Sequence, residues 1–166
     1  MKSVLISIKP KYCELIASGK KTIEVRKTRP KIKTPFKCYI YCTYGQENEN
    51  YMLGKRGKVI GEFVCDEVYE WKYDYCDGVD IDDDLILDTC LDREDINIYA
   101  KGKTLYGWHI SDLKIYDKPK SIMTFYKPCP IKLGFKNCPC CEFYSTDTGF
   151  CMNQIDRPPK SWCYVE

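Results

Sequence analysis

Between Lys9 and Lys27 the chain changes its period, and that change constrains the fold more than any other stretch. Pro10 suits a first helical position, where its missing N–H costs nothing. Tyr12, Leu15 and Ile16 follow at three-to-four spacing and give one apolar helix face. Gly19 then supplies the left-handed residue that closes a helix. From Thr22 the period becomes two: Ile23 and Val25 point one way, and Thr22, Glu24 and Arg26 the other. A helix, a stop and a strand with a polar row are thus packed into nineteen residues.

A chain of 166 residues with 44% hydrophobic content can bury one substantial core. The expected organisation is one domain over residues 1–127, followed by a cysteine-rich extension over 128–166 that packs on it. Val4 to Ile8 is far shorter than the roughly 20 residues of a membrane span, and no signal-peptide pattern is present. A cytoplasmic protein with reduced thiols is therefore expected, even with 12 cysteines. The net charge of +2 conceals an asymmetry. Residues 1–60 carry 14 Lys/Arg against 4 Asp/Glu, residues 61–100 carry 2 against 14, and residues 101–166 carry 10 against 6. The basic first third suits phosphates and the acidic middle repels them, so a nucleic-acid surface would be one-sided.

Met1 to Ile8 reads as a strand, and Thr28 to Pro35, broken by prolines, as a basic loop. Phe36 to Tyr44 and Gly57 to Val68 have strand composition, and Gly61 suggests a bulge or a close backbone approach. Gly45 to Arg56 is a polar excursion. The acidic stretch ending at Asp95 predicts one or two short helices, with an N-cap among Asp82 to Asp84. Lys101 to Ile110 returns to a strand pattern, followed by Asp112 to Tyr116. Asp117 to Pro130 reads as a connection, and Ser161 to Val165 as a final strand.

Cys138 and Cys141 form a C-x-x-C pair able to present two thiolates to one zinc ion. Cys151 is the candidate third ligand, and Cys129 or Cys163 the fourth. A loop-rich tail needs a staple, which favours structural zinc, while a redox pair or buried free thiols are the alternatives.

Gly19-Lys20-Lys21-Thr22-Ile23-Glu24-Val25-Arg26 matches G-x-K-x-x-E-x-R at all four fixed positions. With the later GKVIGEF and YGWHISDL runs, the chain resembles the ASCH domain family of the PUA-like superfamily, in its small stand-alone bacterial or phage form. The resemblance spans roughly residues 3 to 127, and RPPKSWCYV resembles an end seen in some small members. It implies an α+β fold: a small PUA-like β-barrel with short helices at its openings and a cleft beside the motif. Members are generally viewed as RNA-binding or nucleoside-directed. Some small members resemble amidohydrolases acting on acylated cytidine, and nuclease activity is attributed to others.

Two chemistries fit the motif. In a binding site for RNA or a nucleotide, Arg26 grips phosphate, Lys20 and Lys21 add charge, and Glu24 with Thr22 accepts hydrogen bonds from a base or ribose. Trp108, with Gly107 leaving room beside it, is the preferred stacking ring. In a hydrolase, Lys21, its pKa lowered by Arg26, or Glu24 would act as base. The amidohydrolase-like members place a threonine nucleophile where Glu24 stands here. Thr22 lies almost 7 Å along the strand, too far to replace it. The plainest alternative is that Glu24 and Arg26 pair with one another across neighbouring strands. His109, the only histidine, is expected to form a structural hydrogen bond.

Overall fold

The computed structural model describes residues 3–45, 51–52, 54–128, 144–145, 150–151 and 153–166. In chain order the elements are β1 (Ser3–Ile8), α1 (Pro10–Ala17), β2 (Ile23–Arg26), β3 (Phe36–Cys42), β4 (Lys58–Cys65), β5 (Val68–Trp71) and the small pair β6 (Tyr73–Asp74) and β7 (Gly78–Val79). Then come α2 (Asp83–Thr89), α3 (Arg93–Ala100), β8 (Leu105–His109), β9 (Ser111–Lys120), β10 (Tyr144–Ser145), β11 (Phe150–Cys151) and β12 (Trp162–Val165). The class is α+β, as expected.

Two sheets organise these elements. The larger runs β12-β1-β3-β4-β9 and the smaller β2-β8-β5. β1 and β3 are parallel, which a tight turn cannot achieve, so α1 and β2 lie in the connection between them. The closed barrel expected from the sequence is not confirmed: among the described residues the strands form separate ladders. The final strand is not a loose appendage, because β12 pairs antiparallel with β1 from Ser3↔Val165 to Ile6↔Trp162.

Three apolar clusters cover these sheets. Val4, Ile6 and Ile8 of β1 and Cys38 and Ile40 of β3 share a cluster with Trp108 of β8, which places it between the two sheets. Leu5 and Tyr41, at the alternate positions, pack on the far side with Val59, Phe125 and Ile155. The outer side of the small sheet carries Ile23, Val25 and Trp71 against Val79, Ile96 and Ala100. Both sheets are therefore covered on both faces, and the outward row of a strand need not reach water. Cys13, Cys38, Cys42 and Cys65 are free and buried, serving as small apolar side chains.

The sequence reading of α1 holds in detail. Pro10 opens the helix, and Gly19 takes φ +73° just beyond it. Gly61 is also explained: a Cβ there would lie 2.6 Å from the Lys114 carbonyl oxygen of β9, and the β4–β9 register shifts beside it. α2 and α3 are the two acidic helices, and Asp92 caps α3 by accepting from the Asp95 amide at 2.7 Å. β9 departs from expectation by continuing through Pro119 to Lys120. It is the outer strand of its sheet, the one position where a missing N–H need not break a ladder.

Candidate functional site

β2 begins four residues after Gly19, and its ladder to β8 sets every side chain in the motif. Ile23 pairs with His109, Glu24 with Trp108 and Arg26 with Tyr106. Residues opposite one another in an antiparallel ladder share a face. Glu24 and Arg26 therefore point with Trp108 between the sheets, while Ile23 and Val25 face the helices. Burial follows: Lys21 is 2% exposed and Glu24 4%, and the Arg26 side chain 11%.

The three charges form one network. Glu24 Oε1 accepts from the Arg26 guanidinium, and Glu24 Oε2 lies 3.5 Å from the Lys21 ammonium. Glu24 and Arg26 thus pair within one strand, not across two. Lys21 Nζ donates to the Thr89 carbonyl at the end of α2, where the helix carries its partial negative charge. Arg26 Nη2 donates to the Ser7 carbonyl of β1 at 2.6 Å, tying the sheets together. Two polar atoms in this buried network have no hydrogen-bond partner: Glu24 Oε2 and Arg26 Nε. Burial lowers the Lys21 pKa, and the nearby Arg26 charge, expected to be the cause, is the smallest contributor. Glu24 opposes the shift.

These side chains line a cleft of about 890 Å³. Its walls come from α1 (Tyr12), β2, the connection from α2 to α3 (Leu91), α3 (Asp95, Ile98, Tyr99) and the segment 158–161 before β12. Lys9, Lys27, Lys101 and Lys160 complete the lining. Tyr12 and Tyr99 bring two rings to it. The Lys21 ammonium sits 5.3 Å from the centroid of the first and the Lys27 ammonium 4.9 Å from that of the second. Both phenols are pushed above their ordinary pKa, chiefly by burial.

Of the residues singled out by sequence, Lys21, Glu24 and Arg26 meet in the cleft. Lys20 is exposed outside its lining, and Thr22 spends its backbone on Asp88 and Ile110. Trp108 requires correction as a stacking ring. It is 0% exposed, packed edge-on against Phe36 at 5.7 Å and against Trp162 at 5.9 Å. The space beside Gly107 is filled by the Trp71 ring and Ile23. His109 forms the structural bond expected of it, 2.7 Å from Asp66 Oδ1. Tyr12, Tyr99 and Lys160 were missed. Tyr12 fits the apolar helix pattern equally well, and the other two reach the cleft only through tertiary contacts.

The candidate zinc ligands Cys129, Cys138 and Cys141 lie outside the described residues, as does the Cys151 side chain. Cys163 packs beside the far-side cluster, and burial raises its pKa, which disfavours the thiolate a metal requires. Among the described residues no cluster of three or more His, Cys, Asp or Glu is placed to hold a metal.

Residues 6–78, which include the motif, the second half of β1 and all of β2 to β6, match the family model of the ASCH domain. That stretch reads as an ASCH domain. Solved structures of an ASCH protein from Zymomonas mobilis share its fold. One, a Tyr-to-Phe variant, aligns with 100% of this chain and 91% of its own at 15% identity and a TM-score of 0.59. Another, titled simply as ASCH, aligns with 99% of this chain and 87% of its own at 16% identity and the same TM-score. A search of curated proteins finds no match. The ASCH match ends at residue 78, so α3 and residues 158–161, which wall the cleft, lie beyond it. No helix among the described residues is long and apolar enough to cross a membrane.

Proposed function

We propose that this ASCH domain binds RNA or a nucleotide in the cleft around Lys21, Glu24 and Arg26. The observation that carries the reading is Glu24 Oε2, a buried carboxylate oxygen without a hydrogen-bond partner on the wall of an open cleft. A buried acceptor without a hydrogen bond costs about 1–3 kcal/mol; the Lys21 ammonium at 3.5 Å offsets part of this at Glu24 Oε2, and a ligand donor there would supply the missing bond. An exocyclic amine or a ribose hydroxyl supplies that donor. Tyr12 and Tyr99 offer flat faces for a base, and Lys9, Lys27, Lys101 and Lys160 offer charge for phosphate. Of the acidic residues in the two helices, Asp95 lines the cleft, while Lys27 lies over Tyr99 of α3 and Lys101 caps its C-terminal end, so cations meet the helix there.

The test is titration of a labelled single-stranded RNA at several salt concentrations. Binding should weaken with salt by about 0.7 log units per log unit for each phosphate neutralised. Lys27→Ala with Lys160→Ala should lower both affinity and slope. An unchanged slope sinks the phosphate contacts.

A second reading is favoured by one observation: the Lys21 amine is buried, lowered in pKa and on the cleft wall. A lysine whose pKa burial lowers gives up its proton more readily than an exposed one, and beside Glu24 it is a candidate base for hydrolysis of a modified nucleoside. Turnover of acylated cytidine, lost in Lys21→Met, would establish this reading, and no turnover by intact protein would dispose of it.

The zinc-stapled tail belongs to the same proposal, with Cys138, Cys141, Cys151 and Cys129 as ligands, since Cys163 is occupied in packing. Purified protein should carry close to one equivalent of zinc. Far less, together with unchanged stability in chelator, would remove it.

A further inference from the structure

A second, smaller cavity of about 310 Å³ lies under the basic loop between β2 and β3. Its apolar lining is Ile32, Phe36 and Val68, and Arg29 and Lys33 border it with Thr34. Phe36 is buried and Ile32 half-buried, whereas Arg29 and Lys33 are exposed, so the site has an apolar floor and a cationic rim. That combination suits one flat ring joined to an anionic backbone.

The loop connects this cavity to the first cleft. Lys27 lines the cleft and Arg29 the cavity, and two residues of chain separate their Cα atoms by at most about 7 Å. Thr28, between them, is pinned from below: Trp162 Nε1 donates to its hydroxyl at 3.0 Å. The Lys31 amide donates to the Tyr164 hydroxyl at 2.7 Å. Both anchors belong to β12, so the loop backbone that carries Arg29 and Lys33 is tied to the sheet, which lowers the cost of ordering it on binding.

We propose that the cavity under Arg29 and Lys33 is a second subsite, taking the base and phosphate of a nucleotide adjacent to the one in the main cleft. The inference rests on the reading of that cleft as a nucleotide site and adds the ligand's class: single-stranded RNA that enters both, not an isolated nucleotide. The Lys27–Arg29 track carries the phosphates between the two subsites.

The experiment compares two probes on the full chain: a fluorescein-labelled, mixed-sequence RNA of about ten nucleotides, and the four nucleoside monophosphates. Arg29→Ala with Lys33→Ala should weaken the oligonucleotide by about tenfold or more and reduce its salt slope by about 1.4, while monophosphate binding stays at the parent value. Both side chains are exposed, and an unchanged melting temperature verifies the fold. Oligonucleotide binding equal to that of the parent overturns the second subsite, and if Lys27→Ala with Lys160→Ala still impairs both probes, the main-cleft reading stands alone. If the parent binds neither probe, both readings fall.

Discussion

Glu24 is the residue on which the site's charge balance turns. It sits between Lys21 and Arg26 with almost no access to water, so replacing it leaves two cations facing each other in a buried space. Glu24→Gln keeps the volume and an acceptor but removes the charge, and should destabilise by about 3–5 kcal/mol, toward the lower end because Arg26 retains some exposure. Denaturant titration measures this directly. Lys21 makes a pH prediction with a definite sign. Its folded pKa lies below the ordinary 10.5, so between the two values the unfolded chain binds more protons and stability rises with pH. The burial cost is fully relieved above 10.5 and greatest below the folded value. Lys21→Met should therefore gain relative to the parent most at neutral pH, offset by the lost Thr89 bond, and the difference should shift against the variant as pH rises. Stability curves at pH 7 and 10 check it. The meeting of Lys21, Glu24 and Arg26 was legible in the sequence because Gly19 and the change of period locate the strand. The fate of Trp108 was not, because alternation gives two faces without saying that both are covered.

At the level of elements, β8 is held by a contact that only the fold reveals. Gly107 lies directly beneath the Trp71 ring of β5, with Ile23 of β2 close by, so one small residue lets three strands approach. Gly107→Ala should cost about 1–3 kcal/mol through overpacking, seen as a lower denaturation midpoint with no change in slope. A second test concerns β4 and β9. The Glu62 carboxyl is held below its ordinary 4.5, first by the Tyr116 hydroxyl, 2.5 Å away, and then by Lys37. Its contribution is complete above 4.5 and is lost as pH falls through the depressed folded value. Tyr116→Phe should flatten the acid limb of the stability profile below pH 4.5. Strand and helix positions were largely readable from periodicity and caps, including α2 and α3. Pro119 misled because a proline reads as a break unless the strand is known to lie at an edge.

Across the whole molecule, the two sheets and the cleft share their supports. Arg26 joins β2 to β1, and Ser7 of β1 donates through its hydroxyl to the Pro159 carbonyl at 2.7 Å. A ligand that pairs with Glu24 Oε2 therefore contacts a network that spans both sheets. RNA should raise the melting temperature in step with its concentration, by the usual linkage of binding to folding. The sequence revealed one core and one basic end but not the pairing of β1 with β12, because no local pattern encodes which distant strand fills an edge. The contact between Ser7 and Pro159 joins positions 152 apart, and both residues line the pocket. During synthesis the motif is translated early and waits for the segment 158–161, so a nascent chain shorter than about residue 161 presents the charges of the cleft without its closure. On the proposed reading, RNA capture in the complete cleft waits until residues 158–161 have left the ribosome, well after the signature residues.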